Sequence, residues 1–185
     1  MLLRTLRRGL VPVFIVSAAI AMPVSTPAST CAGADLEPST SNTPQLREAT
    51  LCLLNSERTT RGLTPLASSP HLAKAAQKYS LSMVRERFFD HVSPGGSTLL
   101  SRVRRGTSYL RGARTYALGE NIAWGSGELA TPDETVKAWM DSAGHRHNIL
   151  NPRFRHIGIG VAIGAPEDGQ GMPAATYTTD FGFRR

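Results

Sequence analysis

Ile157-Gly158-Ile159-Gly160-Val161-Ala162-Ile163-Gly164 alternates bulky and nearly bare positions with a period of two. Side chains on a strand point to alternate faces. The stretch therefore predicts a strand with one apolar face and one face stripped almost to backbone, against which a helix or another strand can come close. After it, residues 165–173 are rich in Gly and Pro and read as a loop. Thr176 to Phe183 (TYTTDFGF) has the aromatic and β-branched character of an antiparallel partner strand.

Before this region the period is 3.6. Thr43 and Pro44 suit a helix start, and Leu46, Ala49, Leu53 and Leu54 follow at helical spacing until Gly62 stops the run. Ser69 and Pro70 open a second helix, whose stripe is Leu72, Ala75, Ala76, Tyr79 and Met83. Ser97 is placed to cap a short helix through Leu99, Leu100 and Val103, whereas residues 105–118 show no clear period. Thr131-Pro132-Asp133-Glu134 is a capping box for a helix running to about Ser142, with Val136, Trp139 and Met140 facing inward and Gly144 ending it. Helices first and paired strands last predict an α+β fold, with helices packed over an antiparallel sheet.

The first residues read as an address. Arg4, Arg7 and Arg8 precede an apolar run from Leu10 to Val24, a secretory signal pattern shorter than the roughly 20 residues of a membrane span. Cleavage is expected after Ala28, with Ala34 as the alternative site, and an uncleaved anchor as the competing reading. This gives a signal peptide over 1–28, a small polar flexible tail over 29–43 and one domain over 44–185, with no span left after signal removal. None of the fourteen acids and three of the twenty-one basic residues precede residue 29, so the net charge of +7 falls to about +4. That suits contact with an anionic surface. Arg102, Arg104, Arg105, Arg111 and Arg114 lack interleaved aromatics and read as a solvated loop face, so no nucleic-acid partner is expected. The two cysteines, Cys31 and Cys52, are expected to pair in an exported protein; two free thiols are the alternative.

Three segments carry groups that can do chemistry: His91 in a Pro/Gly-bounded loop, Glu120 in a Gly-flanked loop, and His145 just past a helix. Each alone is equally well explained by a structural role. As a set, Asp90-His91, Gly119-Glu120-Asn121-Ile122-Ala123 and Val136-x-x-Trp139-x-x-Ser142-x-Gly144-His145-Arg146, leading to Asn148-Ile149-Leu150, resemble the cysteine-rich secretory protein, antigen 5 and pathogenesis-related (CAP) superfamily. Leu54-Asn55-x-Glu57-Arg58 and Gly62-Leu63-x-x-Leu66 resemble its bacterial members, and the likeness covers about residues 45–183.

The resemblance implies a three-layer α-β-α sandwich with a central antiparallel sheet and a cleft where two His and two Glu converge. His91, Glu120 and His145 match three of these positions and are the candidate metal ligands, with zinc or another divalent ion as the cofactor. Ser142 stands at the fourth. Glu134 is a substitute, although its capping role explains it, and His147 would share a face with His145 if that segment is extended. His71 and His156 match no motif. The family cleft implies a secreted, extracellular binding module for a divalent metal, a small apolar or lipid ligand, or a cell-envelope component. A metal-dependent hydrolase using the same cleft is the alternative, and a toxin-like or signalling role a third. The chain has neither H-E-x-x-H nor G-x-S-x-G, and Ser93 beside Pro94 reads as a turn residue, so an enzyme is the weaker expectation.

Overall fold

The computed structural model describes residues 31–167 and 171–185; the expected signal peptide lies outside them. The elements run α1 (Thr43–Thr59), β1 (Ala67–Ser68), α2 (Pro70–Glu86), α3 (Leu99–Gly106), β2 (Tyr116–Ser126), α4 (Pro132–Asp141), α5 (Ala143–Ile149), β3 (His156–Ile163) and β4 (Ala174–Arg184). A single 3-10 turn, Gly127–Ala130, joins β2 to α4. The strand order is β1-β3-β4-β2, with β3, β4 and β2 antiparallel. The two-residue β1 pairs parallel with β3, so the sheet is mixed at one edge rather than wholly antiparallel.

The bare face of β3 does what its composition predicts. An ideal Cβ on Gly158 would lie 2.0 Å from the Ala73 nitrogen, and one on Gly160 would lie 2.3 Å from the Ala76 carbonyl carbon. Only glycine lets α2 lie this close, and Leu72, Ala75, Ala76, Tyr79 and Met83 are all buried beneath it. Gln77 completes the contact: its amide donates to the Val161 carbonyl (2.9 Å) and accepts from the Val161 N–H (3.1 Å). These groups lie beyond the end of β1, so Gln77 satisfies ladder positions that no strand covers. On the opposite face Ile157, Ile159, Val161, Tyr177 and Phe181 pack with Leu46, Leu53 and Leu54 of α1, Val136 and Trp139 of α4, and Ile149 of α5. The result is an α-β-α sandwich.

Ser69 caps α2 and Thr131 caps α4, each through its hydroxyl, as expected. Thr98, not Ser97, caps α3. The α1 N-cap is Asn42, one residue before Thr43, and it makes no side-chain cap bond. The capping box of α4 is half made. The Glu134 N–H reaches Thr131 Oγ1 (3.4 Å), but the Glu134 carboxylate turns to Lys137. Arg58, fully buried, fans onto the carbonyls of Thr64, Ile149 and Asn151 at 2.9, 2.6 and 3.0 Å, and so pins the end of α5 to α1.

The segment before α1 differs from the flexible tail expected for it. Cys31 and Ala34 are buried in the main core, the Ala34 carbonyl accepts from the Asp133 N–H at the start of α4 (2.9 Å), and Cys31 is bonded to Cys52. Small residues here are packing residues rather than linker.

Candidate functional site

β2 is an edge strand, and groups from both helical layers can meet only at such an edge. Glu120 lies on it, not in the loop its flanking glycines predicted. Its carboxylate is almost fully buried and both oxygens are engaged. Oε1 bonds His91 Nδ1 at 2.8 Å, and Oε2 accepts from the Arg102 guanidinium.

Arg102 organises the loop that carries His91. One nitrogen donates to the carbonyls of His91 (3.1 Å) and Ser97 (2.9 Å), another holds Glu120, and the guanidinium lies 3.3 Å from the centroid of the Tyr79 ring on α2. This is a cation–π stack in a desolvated position. Burial pushes the Tyr79 phenol up to about 12, so it stays protonated and donates to the Asp90 carbonyl (2.5 Å). The Asp90 side chain in turn accepts from the Val92 N–H (3.0 Å), fixing the turn in which His91 sits. Arg102 was read from the sequence as part of a solvated basic loop; instead it is on α3 with its side chain 9% exposed.

His145 arrives from the other layer. The motif segment from Gly144 to Asn148 is helical, within α5. Asn148 donates to the Glu120 carbonyl (3.1 Å) and to Asn121 Oδ1 (2.9 Å), while Asn121 donates to the His145 carbonyl (3.1 Å). The two asparagines thus bolt α5 onto β2. Gly119 makes room, since a Cβ there would meet Phe154 at 2.8 Å and Asn148 at 3.0 Å. Trp139 of α4 donates to the Ile122 carbonyl (3.1 Å), completing the support.

The electrostatics separate the two imidazoles. The hydrogen bond to Glu120 raises the His91 pKa above its usual 6.5, against partial desolvation. Burial lowers that of His145, and the nearby charge of His91 lowers it further. His91 and Glu120 are thus in direct contact, and His145, whose backbone Asn121 ties to β2, lies where the charge of His91 is felt. His91 donates through Nδ1 to the carboxylate in its neutral form, which leaves Nε2 with its lone pair. Among the described residues, nothing hydrogen-bonds the His145 ring, and no three His, Cys, Asp or Glu side chains are grouped to hold a metal ion.

Asp180 is a further acid at the site that sequence reasoning missed. It pairs in register with Glu120 across β2 and β4 and is fully buried. Neither carboxyl oxygen finds a donor among the described residues. Burial, then the charge of Glu120, push its pKa well above the usual 3.8 despite Arg102. The only signal in the sequence was an acid inside the strand pattern TYTTDFGF.

The remaining candidates lie elsewhere. Ser142 sits at the junction of α4 and α5, and no hydrogen bond joins its hydroxyl to the cleft. His147 is exposed on α5; two residues apart on a helix is roughly 200°, so it turns away from the side of His145. Glu134 pairs with exposed Lys137. His156 bonds the Tyr109 hydroxyl (3.0 Å), His71 is exposed, and Ser93 Oγ accepts from the Ser97 N–H (3.0 Å) as a turn residue.

Residues 51–179 match the model of the cysteine-rich secretory protein family. The sequence is 47% identical over 109 residues to the uncharacterized protein YkwD of Bacillus subtilis (strain 168), covering 58% of this chain and 39% of that protein. It is 32% identical over 111 residues to the uncharacterized membrane protein YlbC of the same organism, covering 60% and 30%. The matched stretch thus spans well under half the length of these relatives. Among solved structures, an extracellular protein containing a SCP domain from Bacillus anthracis str. Ames aligns with a TM-score of 0.54 at 28% identity, over 85% of this chain and 44% of that one. An outer surface protein of Borrelia burgdorferi aligns with a TM-score of 0.58 at 19% identity, over 80% and 98%, a likeness of fold. The family match takes in His91, Arg102, Glu120 and His145 together with the asparagine bolt that joins their supports, and the chain belongs to the cysteine-rich secretory protein (CAP) family.

Proposed function

We propose that this protein is a binding module of the cell exterior whose cleft takes a divalent cation, zinc above all, between His91 and His145. The observation that carries this is the 2.8 Å bond from His91 Nδ1 to a buried carboxylate. It fixes the tautomer that presents Nε2, the arrangement in which carboxylates support metal-binding histidines. His145 is held neutral by burial, as a ligand must be. Glu120, with both oxygens engaged, orients His91 rather than coordinating directly. Two imidazoles leave the other positions of a tetrahedral ion to water or a bound ligand, whose oxygen the ion would polarise. Phe89 and Val92, exposed on either side of His91, offer apolar surface to the organic part of such a ligand.

In the hydrolase reading Glu120 would be the base, and its carboxylate is already held by Arg102 and His91. Binding is therefore the better reading. An exterior location is supported by the Cys31–Cys52 disulfide and by the likeness to the extracellular B. anthracis protein. Among the described residues, no helix is long and apolar enough to cross a membrane.

The test is competition for zinc between tag-free protein and a chromophoric chelator. His91→Ala and His145→Ala should each abolish binding, and Glu120→Gln should weaken it about 10–100-fold, the usual effect of losing an outer-shell partner. Binding that survives both histidine substitutions would overturn the proposal.

A further inference from the structure

A cavity of about 380 Å³ is lined by residues of α2, of α3 and of the loop between them, Arg102 among them, and by neither His91 nor Glu120. We propose that it is a second site, which takes the phosphate group of a small phosphomonoester. The proposal does not rest on the metal reading.

Lys78 of α2 and Arg102 and Arg105 of α3 line the cavity. Arg102 is neutralised by Glu120. Lys78 and Arg105 have no carboxylate partner among the described residues, and no acid lines the cavity. Two uncompensated cations lining one concave space match the charge of about −1.5 to −2 that a phosphomonoester carries near pH 7. They also divide the work as phosphate sites do, one a point charge and the other a planar fork.

Proton accounting adds a neutral donor. Ser101 Oγ spends its proton on the Thr98 carbonyl (2.9 Å), so in the Ser97–Ser101 hydroxyl pair (3.1 Å) Ser97 donates. Ser93 Oγ accepts from the Ser97 N–H, so its own proton is left without an acceptor among the described residues. All three serines line the cavity, and the hydroxyl of Ser93 is the one of them free to donate to an anion. The volume lies near the small end of the range for small-molecule sites, roughly 300–1,000 Å³, which fits a phosphate with a short organic remainder.

The phosphate could belong to a soluble ester or to a lipid headgroup, and two arms separate these. In the first, glycerol phosphate is titrated into isotope-labelled protein with chelator present and salt near physiological strength, and amide shifts are followed. In the second, the protein is co-sedimented with phosphatidylcholine vesicles with and without phosphatidic acid. Saturable shifts confined to residues 75–82, 93–97 and 101–106 are expected, or retention by phosphatidic acid alone if the headgroup is the source. The double variant Lys78→Glu, Arg105→Glu changes two exposed side chains, and the same spectra report that it is folded. It should weaken binding at least about tenfold, the scale of losing charge-assisted hydrogen bonds, and Ser93→Ala should weaken it less. His145→Ala should bind phosphate as wild type does, whatever becomes of the metal site. No saturable response in either arm, or equal affinity after charge reversal, would overturn the proposal.

Discussion

Replacing Gly158 by alanine tests whether the bare face of β3 sets the position of α2. A Cβ at this position would lie 2.0 Å from the Ala73 nitrogen and 2.1 Å from the Leu72 carbonyl carbon. Ordinary packed contacts begin near 3.5 Å, so the deficit is about 1.5 Å. Both neighbours are backbone atoms, which no rotamer change can move, so α2 must lift. A radial gap of 0.5–1 Å already forfeits a quarter to a half of each dispersion contact, roughly. Six buried side chains of α2 would lose contacts together. Overpacking typically costs 1–3 kcal/mol, and this site belongs at about 3 kcal/mol or above. The gain from removing a flexible glycine is only about 0.5–1 kcal/mol, so the clash decides the sign. In urea, with slopes of about 1–3 kcal/mol/M, the midpoint should fall by about 1 M or more. Gly144→Ala is the control. Nothing lies within 4 Å of its Cβ, and it sits inside α5, so a gain of about 0.4–1 kcal/mol is expected. A Gly158→Ala protein within about 0.5 kcal/mol of wild type, the range of neutral surface changes, would refute the argument. Because α2 also carries Tyr79, the platform under Arg102, the destabilised variant should lose order in the His91 loop as well.

In wild-type protein, NMR titration of the imidazoles should place His91 above 6.5 and His145 below it, and Glu120→Gln should lower His91. The linked stability has opposite signs: that of His91 is full below about 6.5 and lost as pH rises through its raised value, whereas that of His145 is lost as pH falls through the depressed value. Asp180 has its folded pKa raised, so its contribution is full below 3.8 and lost as pH climbs; Asp180→Asn should therefore melt progressively higher than wild type from pH 4 to pH 8, and a constant offset would count against a buried neutral acid. Cys31→Ser opens a loop with a sequence separation of 21, worth about 3 kcal/mol in chain entropy. Because Cys31 and Ala34 are packed, the full amount should appear in chemical denaturation, and a loss below about 1 kcal/mol would mean the segment is loose in solution.

The sheet–helix architecture was legible where residues answer to a single demand. The alternation from Ile157 to Gly164 serves only packing, and so its reading as a strand facing a close helix held. The same is true of the α2 stripe and its Ser69-Pro70 start. Reading failed where residues serve the site. Glu120 and Asn121 are both buried on β2, one toward each face, which erases the alternation that marks a strand and made the segment look like a loop. α5 has seven residues and no apolar stripe; it is held by Asn148, Asn121 and Arg58, partners distant in sequence, so its helical form leaves no periodic mark, and the extended geometry on which a shared face for His145 and His147 depended does not arise. Arg102 sat in a run of arginines that pattern alone could not divide. Asp180 acquires meaning only through its register with Glu120, 60 positions away in the chain.

The central claim is that His91 and His145 take one metal ion together, with Glu120 behind His91. The most direct measurement is a zinc titration of tag-free protein with selectively labelled histidines, following both imidazoles at once above pH 7. His91 and His145 are expected to shift together and saturate at one equivalent, His91 bound through Nε2 with Nδ1 still protonated, while His71, His147 and His156 stay still. Movement of one of the two rings alone, or of neither in folded protein, would contradict it.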